Sequence, residues 1–566
     1  MKNKIFSRTW ASKDQKVWLF AVLGFQLASL LLRSRLDPNP HHDGIILGSA
    51  IGASEGLLPN RDTFAQYGPG APIVQGIWLQ IFGNTLLNLR ILNALLLMCT
   101  SAILISVLSS KIGTKLASLI SSIWIFSYPD ILPFIPWPSV LTTLFALLGG
   151  VLLTSYLGSG PRHKWKLYLS SFFLVFGVTF RIQFVLLFFL VTIVLSLKSH
   201  FWSSKKDLRL WLFFSGFNVA LALIILWEIG ILLPFVDETI VWAFTSYGDK
   251  GYTFRQLVDL LYFPIGFLIA YALVKLAIQN SDKGSRSTQG FIFAGVFLTG
   301  VCAWILSRNN RNSYLAFKHP RILAANIAEQ FSYCLLYGSI IYFLILTLVF
   351  IRPGSGVKKR YITLLQTNSW VIFVIALGSL PQMYPAFDPL HLWWLTPLFL
   401  AGISAVRPFN LAGQSLRNLT VAGTAFLLAL LLPLYSLISL PRNAFESKVL
   451  RGMIGETWYA SQLDQSLIMI SDFGNKGKIE FACADGIYAA ANGYLADGPR
   501  FVNWAPHIGG RTTASEYTFA CYLTVAQQNE YLKNGFKELA STDASNMFGL
   551  GLTENFRNVI YQNPSN

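Results

Sequence analysis

The chain has 566 residues, of which 53% are hydrophobic and only 13% charged. A soluble globular chain carries roughly 25% charged residues, so an ordinary soluble enzyme and a disordered scaffold are both excluded and a polytopic membrane protein is implied. The formal charge of +17 would suggest nucleic acid in a soluble protein, but here the placement of the charge decides its meaning.

A spanning helix needs roughly 20 mostly apolar residues. On that basis thirteen spans are predicted, near 16–33, 86–110, 113–128, 136–157, 166–181, 183–198, 208–234, 257–280, 290–307, 331–351, 362–380, 391–406 and 418–440. Several are short or closely coupled, notably the pairs broken at Lys111 to Thr114 and at Arg181 to Gln183. The first follows a basic arm and ends in Arg33-Ser34-Arg35 with no small-residue cleavage site, so it reads as a retained anchor rather than a signal peptide.

Lysine and arginine asymmetry orients the chain. With the N-terminus in the cytoplasm, the inner segments collect the basic excess, in loops such as Lys205/Lys206/Arg209 and Lys358/Lys359/Arg360, against three acids, Asp14, Asp207 and Asp282. The outer segments are close to neutral. The positive charge is therefore topological, and no nucleic-acid partner is implied. The expected fold is an α-helical polytopic membrane domain over 1–440, followed by a small α/β domain over 441–566 on the outer side of the plasma membrane. Strand-like runs at Ile479–Cys483 and Tyr517–Thr524 support the second part. Cys483 and Cys521 would lie in an oxidising compartment, as a disulfide or as two buried thiols. The five cysteines are too scattered for a zinc site.

Chemistry concentrates in the first outer loop, 34–85. Its centre runs His41-His42-Asp43-Gly44, and Gly44, Gly48, Gly52 and Gly56 recur every fourth residue, which stacks them on one side of a helix and permits close approach. Asp43 at the N-terminus of that helix is either an N-cap or a carboxylate kept ionised as a general base, and the two are compatible. Next come Arg61-Asp62, readable as a local ion pair holding a turn or as working groups, and the rigid Tyr67-Gly68-Pro69-Gly70. Ala71–Phe82 is too short to span and is expected to lie along the outer interface, anchored by Trp78 and Phe82.

The motif from Gly56 to Pro69 has the form G-x-L-P-x-R-D-x-F-x-x-Y-G-P. Together with the acidic motif after the first span, the short helix ending in Phe82-Gly83 and Arg90 opening the second span, it resembles polyprenyl-phosphate-sugar-dependent glycosyltransferases of the GT-C class, which include bacterial lipid A and protein O-mannosyl relatives. In place of the paired acids usual in that class stands His42-Asp43. The resemblance implies a polyprenyl-phosphate sugar as donor, a glycan, lipid or protein of the cell envelope as acceptor, and inverting transfer at the outer face. Asp43 would remove the acceptor's proton, with Asp62 as alternative base or acceptor-orienting group, and His42, Arg61 and Tyr67 holding substrate.

The leaving phosphate needs fixed cations. The richest outer cluster is Arg308, Arg311, Lys318 and Arg321, which equally suits anionic lipid headgroups. Arg181 is a charge at a span boundary, functional at membrane depth or snorkelling to the interface, and Arg90 shares that ambiguity. Asp388 and His391, three apart at a helix entrance, are candidates to bind donor phosphate or sugar or to act with a divalent ion; the bland alternative is an N-cap, an interfacial histidine and two belt tryptophans. Asp237-Glu238 with Trp242, Tyr247 and Asp249 forms another acidic-aromatic cluster suited to a sugar or to an interfacial helix. A competing reading is a transporter of lipid-linked glycans, which should place ionisable groups at mid-membrane; Glu228 is the clear acid within a span and lies toward its outer end.

Overall fold

A computed structural model describes residues 13–65, 67–126, 135–159, 163–202, 205–241, 370–383, 389–406, 441–483, 485–493, 515–544 and 556–564. The first ten helices in chain order are α1 (Lys13–Ser34), α2 (His42–Ser54), α3 (Gly70–Phe82), α4 (Leu86–Ile112), α5 (Thr114–Phe126), α6 (Pro138–Ser159), α7 (Lys164–Phe180), α8 (Val185–Trp202), α9 (Lys205–Glu228) and α10 (Leu232–Val236). After residue 369 come α11 (Trp370–Gly378) and α12 (Pro389–Val406). Among the described residues, α1, α4, α6 and α9 contain stretches long and apolar enough to cross a membrane. The spans expected near 257–280, 290–307, 331–351 and 418–440 lie outside the described residues.

The breaks between coupled helices fall where the sequence places them, and for local reasons. Gly113, at φ +82°, adopts a left-handed conformation that ends α4 and that glycine tolerates without cost. Arg181 is extended, at φ −156° and ψ 112°, between α7 and a short 3-10 turn at Ile182–Phe184.

Without a hydrophobic drive between helices in lipid, small residues and buried polar contacts set the packing. A Cβ on Gly378 would lie 2.4 Å from the Cα of Leu187, so α11 and α8 meet backbone to backbone. Gln26 of α1 donates to Ser122 (2.9 Å) and accepts from Ser101 (2.6 Å), which joins α1, α4 and α5. Trp124 and Trp393 stack at 5.0 Å, and each indole N–H donates to the other's carbonyl, at 2.9 and 2.7 Å.

These contacts bring the C-terminal ends of α1, α5 and α7 together with the N-terminal ends of α4, α6 and α12 at one end of the bundle. Arg33 Nη1 donates to Ile125 O (3.2 Å), Ser34 Oγ to Arg90 O (3.3 Å), and Arg181 Nη2 to Gln382 O (3.2 Å). At the opposite end Tyr156 donates to Asp207 (2.8 Å) and Lys166 to Ser155 (2.8 Å).

The short helices of the first loop sit on the former end. α2 is buried from Asp43 to Gly52, whereas α3 buries one face and leaves Ile77, Ile81 and Phe82 exposed. Gly76 allows the close contact between them, because a Cβ there would lie 2.6 Å from that of Ala53. Trp78 is partly buried and its indole N–H donates to Asn88 O (2.8 Å), so it ties α3 to α4.

The C-terminal segment contains a two-stranded antiparallel pair, β1 (Arg442–Ala444) and β2 (Ile454–Glu456), then helix α13 (Thr457–Gly474). Strands β3 (Ile479–Ala482), β4 (Tyr517–Leu523), β5 (Lys537–Ala544) and β6 (Phe556–Gln562) form a sheet in the order β3-β4-β6-β5, with β3 and β4 parallel and the other pairings antiparallel. Helices α14 (Gly486–Ala491) and α15 (Val525–Lys533) follow β3 and β4. Cys483 and Cys521 form a disulfide, one of the two alternatives the sequence leaves open.

This segment is seated on the first loop rather than apart from it. Leu36 bridges Ile454 in parallel, Asp37 N donates to Ile454 O (2.9 Å), and Ile487 N donates to Pro40 O (3.0 Å). Of the glycine stripe, Gly44 serves this docking: a Cβ there would lie 1.8 Å from the backbone nitrogen of Ile487. Gly56, at φ +85°, lies past the end of α2 and makes the turn out of it.

Candidate functional site

The N-terminus of α2 is built by Asn39, whose side-chain oxygen accepts from the backbone N–H groups of His41 (3.1 Å) and His42 (2.9 Å). Asp43 is therefore not the N-cap; it lies one position inside the helix and accepts from Asn39 N (2.7 Å). Its carboxylate also pairs with Arg90, which donates from Nη2 and, at 3.4 Å, from Nε. Arg90 Nη1 donates to Leu36 O (2.6 Å) and Nη2 to Asp37 O (3.2 Å). Both side chains are fully buried. A charge taken out of water is tolerated when it is paired and hydrogen-bonded on all sides, and this pair joins α2, α4 and the exit of α1.

Asp62 and Arg61 follow the local alternative. Arg61 Nη2 meets Asp62 at 2.8 Å and Nη1 donates to Ile229 O (3.2 Å), while Asp62 accepts from Leu58 N (3.0 Å). Together with Asn60 in a left-handed conformation at φ +65°, they close the turn 58–63. Arg61 is largely exposed, so the ion pair itself contributes little stability.

A different group of residues converges at the helix ends. Trp137, immediately before α6, has the His42 ring on one side (centroids 5.4 Å apart), Tyr67 on another (5.1 Å) and Trp394 stacked parallel (5.5 Å). The Arg181 guanidinium lies over the Tyr67 ring at 5.1 Å, within cation–π range. Arg181 is buried, donating to Ser139 Oγ at the start of α6 and to Gln382 O beyond α11. Three sequence candidates, His42, Tyr67 and Arg181, are thus brought together. Trp137, Ser139 and Gln382 join them; of these the sequence marks Trp137, held between two prolines where a span begins.

Two members of this cluster hold buried polar groups without a partner among the described residues. Trp137 is 5% and Gln382 1% exposed, yet the Trp137 indole N–H and both ends of the Gln382 carboxamide have no hydrogen-bond partner among those residues. A buried unsatisfied polar group is costly and rare in native proteins, so these groups call for a polar partner, an ordered water or a ligand atom.

A second polar patch lies where the turn 58–63 meets a π-helical turn at Asp237–Val241. Glu238 accepts from Asn60 Nδ2 at 2.5 Å, and Asn60 also donates to Ala65 O (2.8 Å). Burial raises the Glu238 carboxyl to about 7, with Asp237 adding to the rise and the bonds from Asn60 and Ala65 opposing it. Glu238 is the part of the acidic-aromatic cluster that the structure places against the first loop; Trp242, Tyr247 and Asp249 lie outside the described residues.

So do Arg308, Arg311, Lys318 and Arg321, and so does Asp388. His391 is in the first turn of α12, and nothing is described of its side chain. Among the described residues no group of three or more histidine, cysteine or acidic side chains is arranged to hold a metal.

No family model matches the chain, and no curated protein matches it. Two solved structures resemble it over nearly the whole of both chains. ArnT from Cupriavidus metallidurans in the apo state is 11% identical, with 96% of this chain and 98% of that one covered and a TM-score of 0.45. The same protein bound to undecaprenyl phosphate is 12% identical, with 97% and 98% covered and a TM-score of 0.41. The likeness is too loose to carry a site residue from one chain to the other.

Proposed function

We propose that the chain is an inverting membrane glycosyltransferase that moves a sugar from a polyprenyl-phosphate carrier to a cell-envelope acceptor on the outer face of the membrane. The observation that carries this reading is the buried cation Arg181 beside unsatisfied hydrogen-bonding groups on Trp137 and Gln382. A sugar offers hydroxyls to the indole N–H and the carboxamide, and apolar ring faces to the stacked aromatics. A phosphate offers oxygens to the guanidinium, whose planar fork suits it. The leaving phosphate gains charge as the glycosidic bond breaks, and a cation already fixed in place stabilises that charge without reorganisation.

Asp43 is the proposed base. Its carboxylate pairs with Arg90, which covers both oxygens. The role therefore requires Asp43 to exchange its bond to Arg90 for the acceptor hydroxyl when substrates bind. One base suffices, because the acceptor oxygen attacks the anomeric carbon directly, its proton passes to Asp43 and the bond to the carrier phosphate breaks. Thirteen spans, a cytoplasmic N-terminus and an exoplasmic C-terminal domain complete the proposal; the disulfide in that segment is of the kind that persists in oxidising compartments. Among the described residues of α1, α4, α6 and α9, lysine, arginine and acidic residues stand near the helix ends, whereas a transporter should place them near the middle.

Mass spectrometry of cell-envelope glycans from a strain lacking the gene tests the reading. Loss of one sugar residue, restored by the wild-type gene and not by Arg181→Gln, is expected. Accumulation of an intact lipid-linked glycan would instead indicate export.

A further inference from the structure

Besides Asp43, Arg90 holds two backbone carbonyls: its Nη1 donates to Leu36 O (2.6 Å) and its Nη2 to Asp37 O (3.2 Å). Those carbonyls are aimed by the backbone at Asp37, which is left-handed, at φ +40°. A residue other than glycine rests there only where its surroundings hold it. The holding contacts come from the strand pair of the C-terminal segment. Arg442 of β1 and Glu456 of β2 stand opposite each other across that pair. The Arg442 guanidinium meets Asp37 Oδ2, and the Glu456 backbone N–H donates to Asp37 Oδ1 (3.0 Å). On the backbone side Asp37 N donates to Ile454 O (2.9 Å) and Ile454 N to Arg35 O (2.8 Å). The Arg442 and Asp37 side chains are 5% and 2% exposed. A buried ion pair of this kind is weak evidence for stability; what this one does is hold the chain between α1 and α2 in one arrangement.

We propose that Arg442 is a positioning residue for the transfer step: by clamping the Asp37 carboxylate it aims the carbonyls of Leu36 and Asp37 at Arg90, so that Arg90 stays in place when Asp43 turns from it to the acceptor hydroxyl. This rests on the reading above, in which Asp43 is the base of a glycosyltransferase. A buried guanidinium that loses its carboxylate is costly unless other acceptors meet it. With the two carbonyls fixed, Arg90 keeps two acceptors and releases Asp43 at a lower cost. With Asp37 loose, Asp43 would be the acceptor left to Arg90, and the carboxylate would be held from the substrate. The segment after residue 440 thereby acts on the chemistry through Asp37 and Arg90, without Arg442 touching a reacting atom.

The test uses the purified full chain in detergent micelles. Membranes of a strain lacking the gene supply the acceptor, and increasing amounts of that strain's lipid extract supply its unused carrier-linked sugar. Sugar gained by the envelope glycans is followed by mass spectrometry, well below the unfolding temperature of each variant, where a residue that only stabilises the fold leaves turnover unchanged. Arg442→Gln should lower the maximal rate by roughly 10- to 100-fold, the cost of a misplaced reacting group, with the half-saturating amount of extract unchanged. Arg442→Lys should recover most of the rate. Arg442→Met with Asp37→Asn leaves no buried charge unpaired, and should match wild type in unfolding temperature while staying as slow as Arg442→Gln. Arg35→Gln removes a side-chain bond of the same docked segment, to Gly452 O (3.1 Å), without touching the Asp37 carboxylate, and should keep the wild-type rate. Wild-type turnover in Arg442→Gln or in the double variant, or an equal loss in Arg35→Gln, overturns the inference alone. Absence of transfer by the wild-type chain overturns the glycosyltransferase reading, and the role of Arg442 with it.

Discussion

Asp43 on α2 and Arg90 on α4 form a completely buried ion pair, and Arg90 also takes the carbonyls of Leu36 and Asp37. The pair therefore fixes where α1 ends, where α2 begins and how both meet the C-terminal segment.

Arg181→Gln should lower sugar transfer by about 100-fold, the scale on which fixed transition-state donors act. Arg181→Lys should recover little of it, because an ammonium cannot reproduce the guanidinium fork that reaches Ser139 and Gln382 together. Turnover of a polyprenyl-phosphate sugar by the purified variants measures both.

Trp137→Phe keeps an aromatic ring between His42, Tyr67 and Trp394 and removes the unpartnered N–H. If that N–H meets a sugar hydroxyl, transfer falls by about tenfold, the worth of one hydrogen bond, and thermal stability does not fall. A loss of stability with unchanged transfer would make Trp137 a packing residue.

Glu238 gives a pH-dependent stability whose sign follows from its burial. Its carboxyl is raised from 4.5 to about 7 in the folded protein, so the folded chain holds a proton that the unfolded chain has released. The stability this contributes is present below the unfolded value and is lost as the pH rises through the folded one. Glu238→Gln should leave stability near pH 4 unchanged and raise it at pH 8 by roughly 3 kcal/mol, as read by thermal unfolding at the two pH values.

Gly44→Ala should loosen the C-terminal segment from the first loop. The new Cβ would meet the backbone of Ile487, which cannot rotate away, and overpacking of this kind costs about 1–3 kcal/mol. Faster proteolysis after residue 440 and a lower unfolding temperature are the expected signs.

What the sequence made legible followed from hydropathy, charge and local punctuation. The helix breaks at Gly113 and Arg181, the short helix ending at Phe82 and the strands around Cys483 and Cys521 all come from neighbours in the chain. Arg181 was legible as a charge where charge is expensive. The pairing of Asp43 with Arg90 was not, although each residue stood out singly, because it depends on α2 tucking against the start of α4. Gln382 carries too little local signal, and the prolines that flank Trp137 mark a fixed aromatic without saying what it meets; the meaning of both comes from separate helix ends meeting. Asp37 carries no motif of its own, yet in its left-handed conformation its carboxylate accepts from Arg442 and from Glu456 N. The contacts of the segment after residue 440 with the first loop, such as Asp37 N to Ile454 O and Ile487 N to Pro40 O, join residues too far apart in the chain for any local pattern to announce them.

The base itself is tested most directly by removing both charges of the buried pair. Asp43→Asn or Arg90→Gln alone leaves one buried charge unpaired and should lower the unfolding temperature, whereas the double variant leaves none and should regain much of it. Transfer from the polyprenyl-phosphate donor should remain absent in the double variant, because its proton acceptor is gone. Recovery of transfer together with stability would show that the pair only builds the fold, and would remove Asp43 from the chemistry.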